Sequence, residues 1–123
     1  MKDLSFFSKI FLATTPVDFR KQAHGLALIV EHTLGHTGLN DKILFAFTNK
    51  RKTAIKILYW DITGYALWWK TLEQDRFKWP SDITECKKMD AKEFRWLLDG
   101  IDLSRIKKHK RVTLIVSANE LPA

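Results

Sequence analysis

The chain is poor in cysteine, proline and glycine, and it has no long apolar run. Cys86 is the only cysteine among 123 residues, so an internal disulfide is excluded, and the four scattered histidines predict no metal site. No window approaches the roughly 18 consecutive apolar residues that a membrane span needs. The first residues lack the apolar core and cleavage site of a secretory signal. We therefore expect a reducing, cytoplasmic location and no membrane association.

Positive charge is abundant, and its position indicates a partner. The chain has 21 basic and 14 acidic residues, which give a net charge of +7. The excess positive charge lies near the C-terminus. We therefore divide the chain into a domain over residues 1–104 and a basic segment over residues 105–123, which is either an extra edge strand or a tail. A nearly balanced body with a local basic segment favours binding to a polyanion, above all DNA. A solvated tail is the alternative. Five cations crowd into this segment: Arg105, Lys107, Lys108, Lys110 and Arg111.

Aromatic and β-branched residues between Ile43 and Pro80 predict an antiparallel meander. Residues 74–80 are expected to add a short edge strand, followed by a polar loop that holds Cys86. The expected fold class is α+β, a single domain with a sheet of four or five strands and two packed helices. The other expected strands cover residues 8–13, 42–48, 53–60 and 65–72.

Two amphipathic stretches predict the helices. The first covers about residues 17–34, with Thr15 as its N-cap, Pro16 at its first helical position and Asp18 as a capping-box carboxylate. The second covers about residues 91–99 and begins at a capping box headed by Asp90. Because apolar residues occupy both faces of the predicted strands, we expect the sheet to be covered on both sides, with the second helix as the second cover. The alternative is that one side is a partner surface.

Cations at the start of a helix and in a hairpin turn are candidate DNA contacts. Arg20 and Lys21 lie in the first turns of the predicted first helix, where free N–H groups attract anions. The alternative is that Arg20 pairs with a carboxylate such as Asp18 or Asp61 and only fixes the helix against the sheet. The full set of predicted nucleic-acid contacts is Arg20, Lys21, Lys50, Arg51, Lys52, Arg76, Arg105, Lys107, Lys108, Lys110 and Arg111.

Trp60 and Trp68 are the candidate partner surface. Beside Lys56 and Lys70, an exposed indole is able to stack on a nucleic-acid base or to dock against a protein. Tryptophans at strand spacing also form cores, and that alternative stays open.

No catalytic residue, metal ligand or cofactor is predicted. A metal-dependent nuclease needs two or three converging carboxylates, and Asp61, Glu73 and Asp75 are the set to consider. Turn formation and ion pairing explain all three more simply. Cys86 has no general base at a recognisable spacing and is not a credible nucleophile.

Five short motifs follow one another along the chain. They are TPVDFRK at 15–21, LFAFTNKR at 44–51, IKILYWD at 55–61, RFKWP at 76–80 and LLDGID at 97–102. In this order they resemble the TnpB-type accessory proteins of insertion-sequence family 66, which are encoded beside the transposase in bacterial mobile elements. The resemblance runs from about Phe11 to Asp102 and leaves the basic C-terminal segment outside.

The resemblance implies an accessory role in transposition, separate from the transposase that carries the catalytic carboxylates. It implies the transposase of the same element as a partner, and it brings no defined biochemical activity. Together with the charge pattern, it leads us to expect a non-catalytic protein that binds DNA or the transposase–DNA assembly. The alternative is a protein–protein adaptor or a self-associating module, a homo-oligomer, without direct DNA contact.

Overall fold

The structure, a computed structural model, describes residues 1, 3–32, 42–81 and 84–100. It contains two α-helices, α1 (Ala23–His32) and α2 (Ala91–Leu98), and a short 3-10 helix at Leu4–Phe6. The five strands are β1 (Lys9–Ala13), β2 (Ile43–Thr48), β3 (Ala54–Asp61), β4 (Gly64–Thr71) and β5 (Cys86–Met89).

The strands form one mixed sheet in the order β4-β3-β2-β1-β5. The three central strands of the sequence, β2, β3 and β4, make the predicted antiparallel meander. Strand β1 runs parallel to β2, and β5 runs antiparallel to β1. A parallel pair needs a long crossover connection, and the segment that contains α1 supplies it. The α+β class is confirmed.

Helix α1 begins at Ala23, so the prediction of a helix from residue 17 was wrong at its start. Asp18 does not act as a capping-box residue; its carboxylate accepts a hydrogen bond from the Arg20 N–H at 2.9 Å and closes a turn. The Val17 N–H donates to the carbonyl of Thr48 at the end of β2, at 2.9 Å. Residues 14–22 therefore cross the end of the sheet as a loop. The predicted end of this helix lies outside the described residues.

The expected edge strand at residues 74–80 is absent from the described structure, and the fifth strand is β5 instead. Phe77 and Trp79 are buried core residues, and the Trp79 indole N–H donates to the Ala13 carbonyl at 2.9 Å. Cys86 was predicted to lie in a loop, whereas it begins β5, in which Lys87 and Lys88 follow it. Such cations suit an edge strand, because charge discourages further strand pairing.

Both faces of the sheet are buried, as predicted. Alternate residues of each strand point to opposite faces of the sheet. One face packs against residues of α2, and the other packs against residues of α1. The cluster on the first face includes Leu44, Ile57, Tyr59, Phe94 and Leu97. The cluster on the second face includes Phe45, Phe47, Leu58, Leu26 and Val30.

The start of α2 is the predicted one. The Asp90 carboxylate accepts from the Glu93 N–H at 2.7 Å, and the Glu93 carboxylate accepts from the Asp90 N–H at 3.5 Å. These reciprocal bonds form the capping box. The turn after the helix reaches Gly100 at φ +85°, a backbone conformation that favours glycine. Within the described residues, neither helix has the length and apolar content required to cross a membrane.

Candidate nucleic-acid interface

Three segments that are distant in sequence meet at one end of the sheet. Strands β1, β2 and β4 finish at this end and β3 begins there, because β1 is parallel to β2 while β3 is antiparallel to both of its neighbours. The connections between these strands therefore share one surface. We call this surface the basic end and define it by residues 14–22, 49–53 and 72–81.

Backbone hydrogen bonds hold the three segments together. The Val17 N–H donates to the Thr48 carbonyl at 2.9 Å, which places the first segment beside the β2–β3 turn. The Phe77 N–H donates to the Lys52 carbonyl at 2.8 Å, which places the third segment on the other part of the same turn. All six predicted contacts within the described residues therefore lie on one surface: Arg20, Lys21, Lys50, Arg51, Lys52 and Arg76.

Asn49 organises the turn that carries three of these cations. Its side-chain oxygen accepts from the N–H groups of Thr53 at 2.9 Å and Ala54 at 3.2 Å. Its amide group donates to the Thr53 hydroxyl at 3.0 Å. Lys52 adopts φ +60°, and its N–H donates to the Asn49 carbonyl at 3.0 Å. These bonds give the turn a defined shape without an apolar anchor, so its side chains stay exposed.

Arg20 forms an ion pair with Asp18, one of the two alternatives considered from the sequence. One terminal guanidinium nitrogen lies 2.6 Å from the carboxylate, and the Arg20 Nε donates to the same group at 3.0 Å. The hydrogen bonds from the Arg20 side chain and N–H lower the pKa of Asp18 to about 2, and the pKa of Arg20 is raised in turn. The Arg20 side chain is 92% exposed, so a phosphate is able to compete with Asp18 for it.

The other five predicted contacts in the described region are exposed cations. None of them forms an ion pair with a described residue. The nearby carboxylate of Asp75 lies 4.0 Å from the Lys78 ammonium and accepts from the Arg76 N–H at 2.7 Å. The positive charge of Arg76 itself is therefore available to a ligand.

Lys56, inside β3, lies directly behind the first segment. It has no exposed surface, and its ammonium donates to the carbonyls of Phe19 and Lys21, each at 2.8 Å. Desolvation lowers the pKa of Lys56, while the charge of Asp18 acts in the opposite direction. The sequence predicted an exposed Trp60 or Trp68 beside Lys56 and did not predict the burial of Lys56 itself. The signal for this burial is a single lysine within the apolar strand IKIL, because a charge in a buried strand needs hydrogen-bond partners.

The tryptophan that is most exposed on this sheet is Trp69, at 53%. Trp68 is half-buried and packs on the α2 side. Trp60 is half-buried, with its ring centroid 5.1 Å from that of Tyr65 in an edge-to-face arrangement. A partner contact by Trp60 or Trp68 stays a prediction.

The three carboxylates considered for catalysis do not converge. Asp61 ends β3 at the far end of the sheet, whereas Glu73 and Asp75 follow β4 at the basic end. The eight residues of β4 separate the two positions by roughly 25 Å at strand rise. Within the described ranges, no three His, Cys, Asp or Glu side chains gather as a metal site. Burial raises the pKa of Cys86, which disfavours a reactive thiolate.

The remaining predicted contacts lie outside the described residues. They are the cations of the basic C-terminal segment: Arg105, Lys107, Lys108, Lys110 and Arg111. Their contribution to binding stays a prediction.

Comparison with known proteins identifies a family for nearly the whole chain. The family model described as IS66 Orf2 like protein matches residues 8–108. The match is longer at both ends than the range of the short motifs. It includes Arg105, Lys107 and Lys108, so the expectation that the basic segment lies wholly outside the family pattern was wrong.

Two relatives from Sinorhizobium fredii (strain NBRC 101917 / NGR234) extend this finding. Uncharacterized protein y4jC is 36% identical over 101 residues, which cover 81% of this chain and 85% of the relative. Uncharacterized protein y4hO is 32% identical over 94 residues, which cover 76% of this chain and 81% of the relative. No solved structure gives a significant match. The chain therefore belongs to the family of IS66 Orf2-like proteins, and this membership supports an accessory role in transposition.

Proposed function

We propose that the protein is a non-catalytic accessory of its element's transposase and binds DNA through the basic end. The observation that carries the proposal is the meeting of six predicted cations, from three separate segments, on one surface. Five of the six have no ion pair within the described residues. Clustered, exposed cations on one face provide the electrostatic attraction that binds phosphates.

The charge distribution supports the same surface. The three segments of the basic end hold seven cations and three carboxylates, a net charge of +4. Residues 105–123 also carry +4, so the remainder of the chain carries −1. The excess charge of the folded domain is therefore confined to one end, and a polyanion that approaches the molecule would be attracted to that end.

The β2–β3 turn offers a direct test. If about five phosphates are contacted, log affinity for duplex DNA should fall with log salt at a slope near −4.5. Changing Lys50, Arg51 and Lys52 together to glutamine should reduce the magnitude of this slope by about 2.7, since each lost phosphate contact removes about 0.9. Affinity is measured by fluorescence anisotropy at four or five salt concentrations.

A matched control removes the same charge elsewhere. Lys9, Lys88 and Arg95 are exposed cations on β1, β5 and α2, away from the segments of the basic end. Changing these three to glutamine should leave the slope unchanged. Equal losses from both triple variants would show that net charge alone governs binding. A chain that ends at Ser104 separates the contribution of residues 105–123.

The alternative function gives a different result. An adaptor or self-associating module without DNA contact would show no binding even at low salt, yet would co-purify with the transposase or with a second copy. Binding that is absent at low salt, or insensitive to salt, contradicts the proposal.

A further inference from the structure

Trp69 is an exposed tryptophan with two favourable neighbours. Its side chain lies on β4, an edge strand of the sheet, and the residue is 53% exposed. The Lys56 ammonium lies over its ring, 4.3 Å from the centroid. The Phe19 ring lies at 5.9 Å between centroids and perpendicular to it. A cation over an indole and a perpendicular aromatic ring are both stabilising contacts, so they favour this orientation of the indole.

These two neighbours cover the same side of the indole. The Lys56 ammonium is 4.9 Å from the Phe19 centroid, a shorter distance than the 5.9 Å between the Phe19 and Trp69 rings. The angle at Trp69 between its two neighbours is therefore acute. Lys56 and Phe19 therefore lie on the same side of the indole, while about half of the residue's surface stays exposed.

The indole also lies beside the cations of the basic end. Lys56, which lies over its ring, donates to the Lys21 carbonyl, so the indole adjoins the segment that carries Arg20 and Lys21. Lys52 precedes Lys56 by four residues along the turn and β3, a separation of roughly 13 Å at strand rise. A few nucleotides are enough to contact both the indole and the turn, as in other single-strand binding sites.

We propose that Trp69 is a stacking platform for an unpaired base, so that the basic end binds single-stranded DNA in preference to duplex DNA. This inference rests on the DNA binding proposed above. An indole that has neighbours on one side and is half exposed, beside a surface of net positive charge, suits a nucleotide strand. Phosphates contact the cations, and a base covers the exposed part of the indole. In a duplex the base faces are already stacked, so the indole gains nothing there.

The experiment compares a 15-nucleotide oligo-dT with a duplex of the same length, using the full chain. Trp69→Ala should weaken binding of the single strand by about 5- to 150-fold, the value of one stacked base. The salt slope should stay unchanged, because no phosphate contact is lost. Duplex affinity should change less than twofold. Trp69→Phe keeps a ring against Lys56 and should give a smaller loss, which covers the case in which the alanine variant fails to fold.

A control variant and two alternative ligands, RNA and protein, complete the test. Trp96→Ala, on α2 and against the opposite face of the sheet, should leave single-strand affinity unchanged. Duplex binding of normal strength with no effect of either Trp69 change on the single strand overturns this inference and leaves the proposed function intact. Absence of binding to both forms overturns both. A tenfold preference for oligo-rU, or loss of transposase binding with normal DNA affinity, would assign Trp69 to RNA or to a protein instead.

Discussion

Changing Lys56 to methionine tests how the first segment of the basic end is held. Methionine keeps an unbranched apolar chain against Trp69 and Phe19, but it donates no hydrogen bond. The carbonyls of Phe19 and Lys21 each lose a charged donor at 2.8 Å. The perturbation therefore releases residues 18–21 while it leaves the strand pairing of β3 intact.

The expected loss of stability is a difference between two larger quantities. Two hydrogen bonds to a charged donor contribute roughly 1.5–3 kcal/mol each. The cost of burying the ammonium, several kcal/mol, offsets this stabilisation. The same desolvation lowers the pKa of Lys56. Water is able to replace the donor because residues 18–21 lie on a surface loop. We expect a net loss of about 1–2 kcal/mol, which lowers Tm by about 4–8 °C.

Thermal unfolding, followed by circular dichroism, measures the loss of stability. The salt slope of DNA affinity measures the release of residues 18–21. If the released segment no longer presents Arg20 and Lys21, the magnitude of the slope should fall by up to about 1.8. Arg20→Gln with Lys21→Gln should give the same slope, and adding Lys56→Met to that pair should change it no further. A Tm at or above that of the wild type, with an unchanged slope, would refute the reasoning.

Three further predictions follow from single contacts. Asp18→Asn removes the group that competes with a phosphate for Arg20, so DNA affinity at a given salt concentration should rise, as measured by anisotropy. Because folding lowers the pKa of Asp18 to about 2, its stabilising effect should be complete above the ordinary value of 3.8 and should decline as the pH falls through 2. This acid step should vanish from a pH series of unfolding curves of Asp18→Asn. Asp90→Ala should lower the free energy of unfolding by about 1 kcal/mol in urea titrations and leave DNA affinity unchanged.

The sequence predicted correctly those elements that are determined by residues close to one another in the chain. The meander follows from alternating apolar residues and two turn signals, and α2 follows from a capping box. The start of α1 was wrong because the sequence offers Asp18 two equivalent choices, a cap or a turn with Arg20. The bond from Val17 to Thr48 is consistent with the second choice, and it joins residues that only the tertiary fold brings together.

The candidate site was predicted only in part for the same reason. The Lys50–Lys52 turn is visible in the sequence, and the predicted meander brings Arg76 to the same end. The meeting with Arg20, however, depends on the parallel pairing of β1 with β2. An antiparallel β1 would have sent residues 14–22 to the opposite end. The exposure of Trp69 was also unpredictable, because apolar residues occupy both faces of β4 and do not show which indole lies at an uncovered margin.

The contacts of Lys56 also bear on the order of folding. They join residues that are 37 and 35 positions apart, whereas the β2–β3–β4 meander is built from neighbours in sequence. Local pairs generally form before distant ones, so we expect the meander first and the docking of residues 18–21 late, an order that pulsed hydrogen exchange during refolding would reveal. An incompletely folded chain would then present the basic turn without its neighbouring cations. High affinity for DNA would be a property of the finished domain, which limits wasteful binding by nascent or damaged copies.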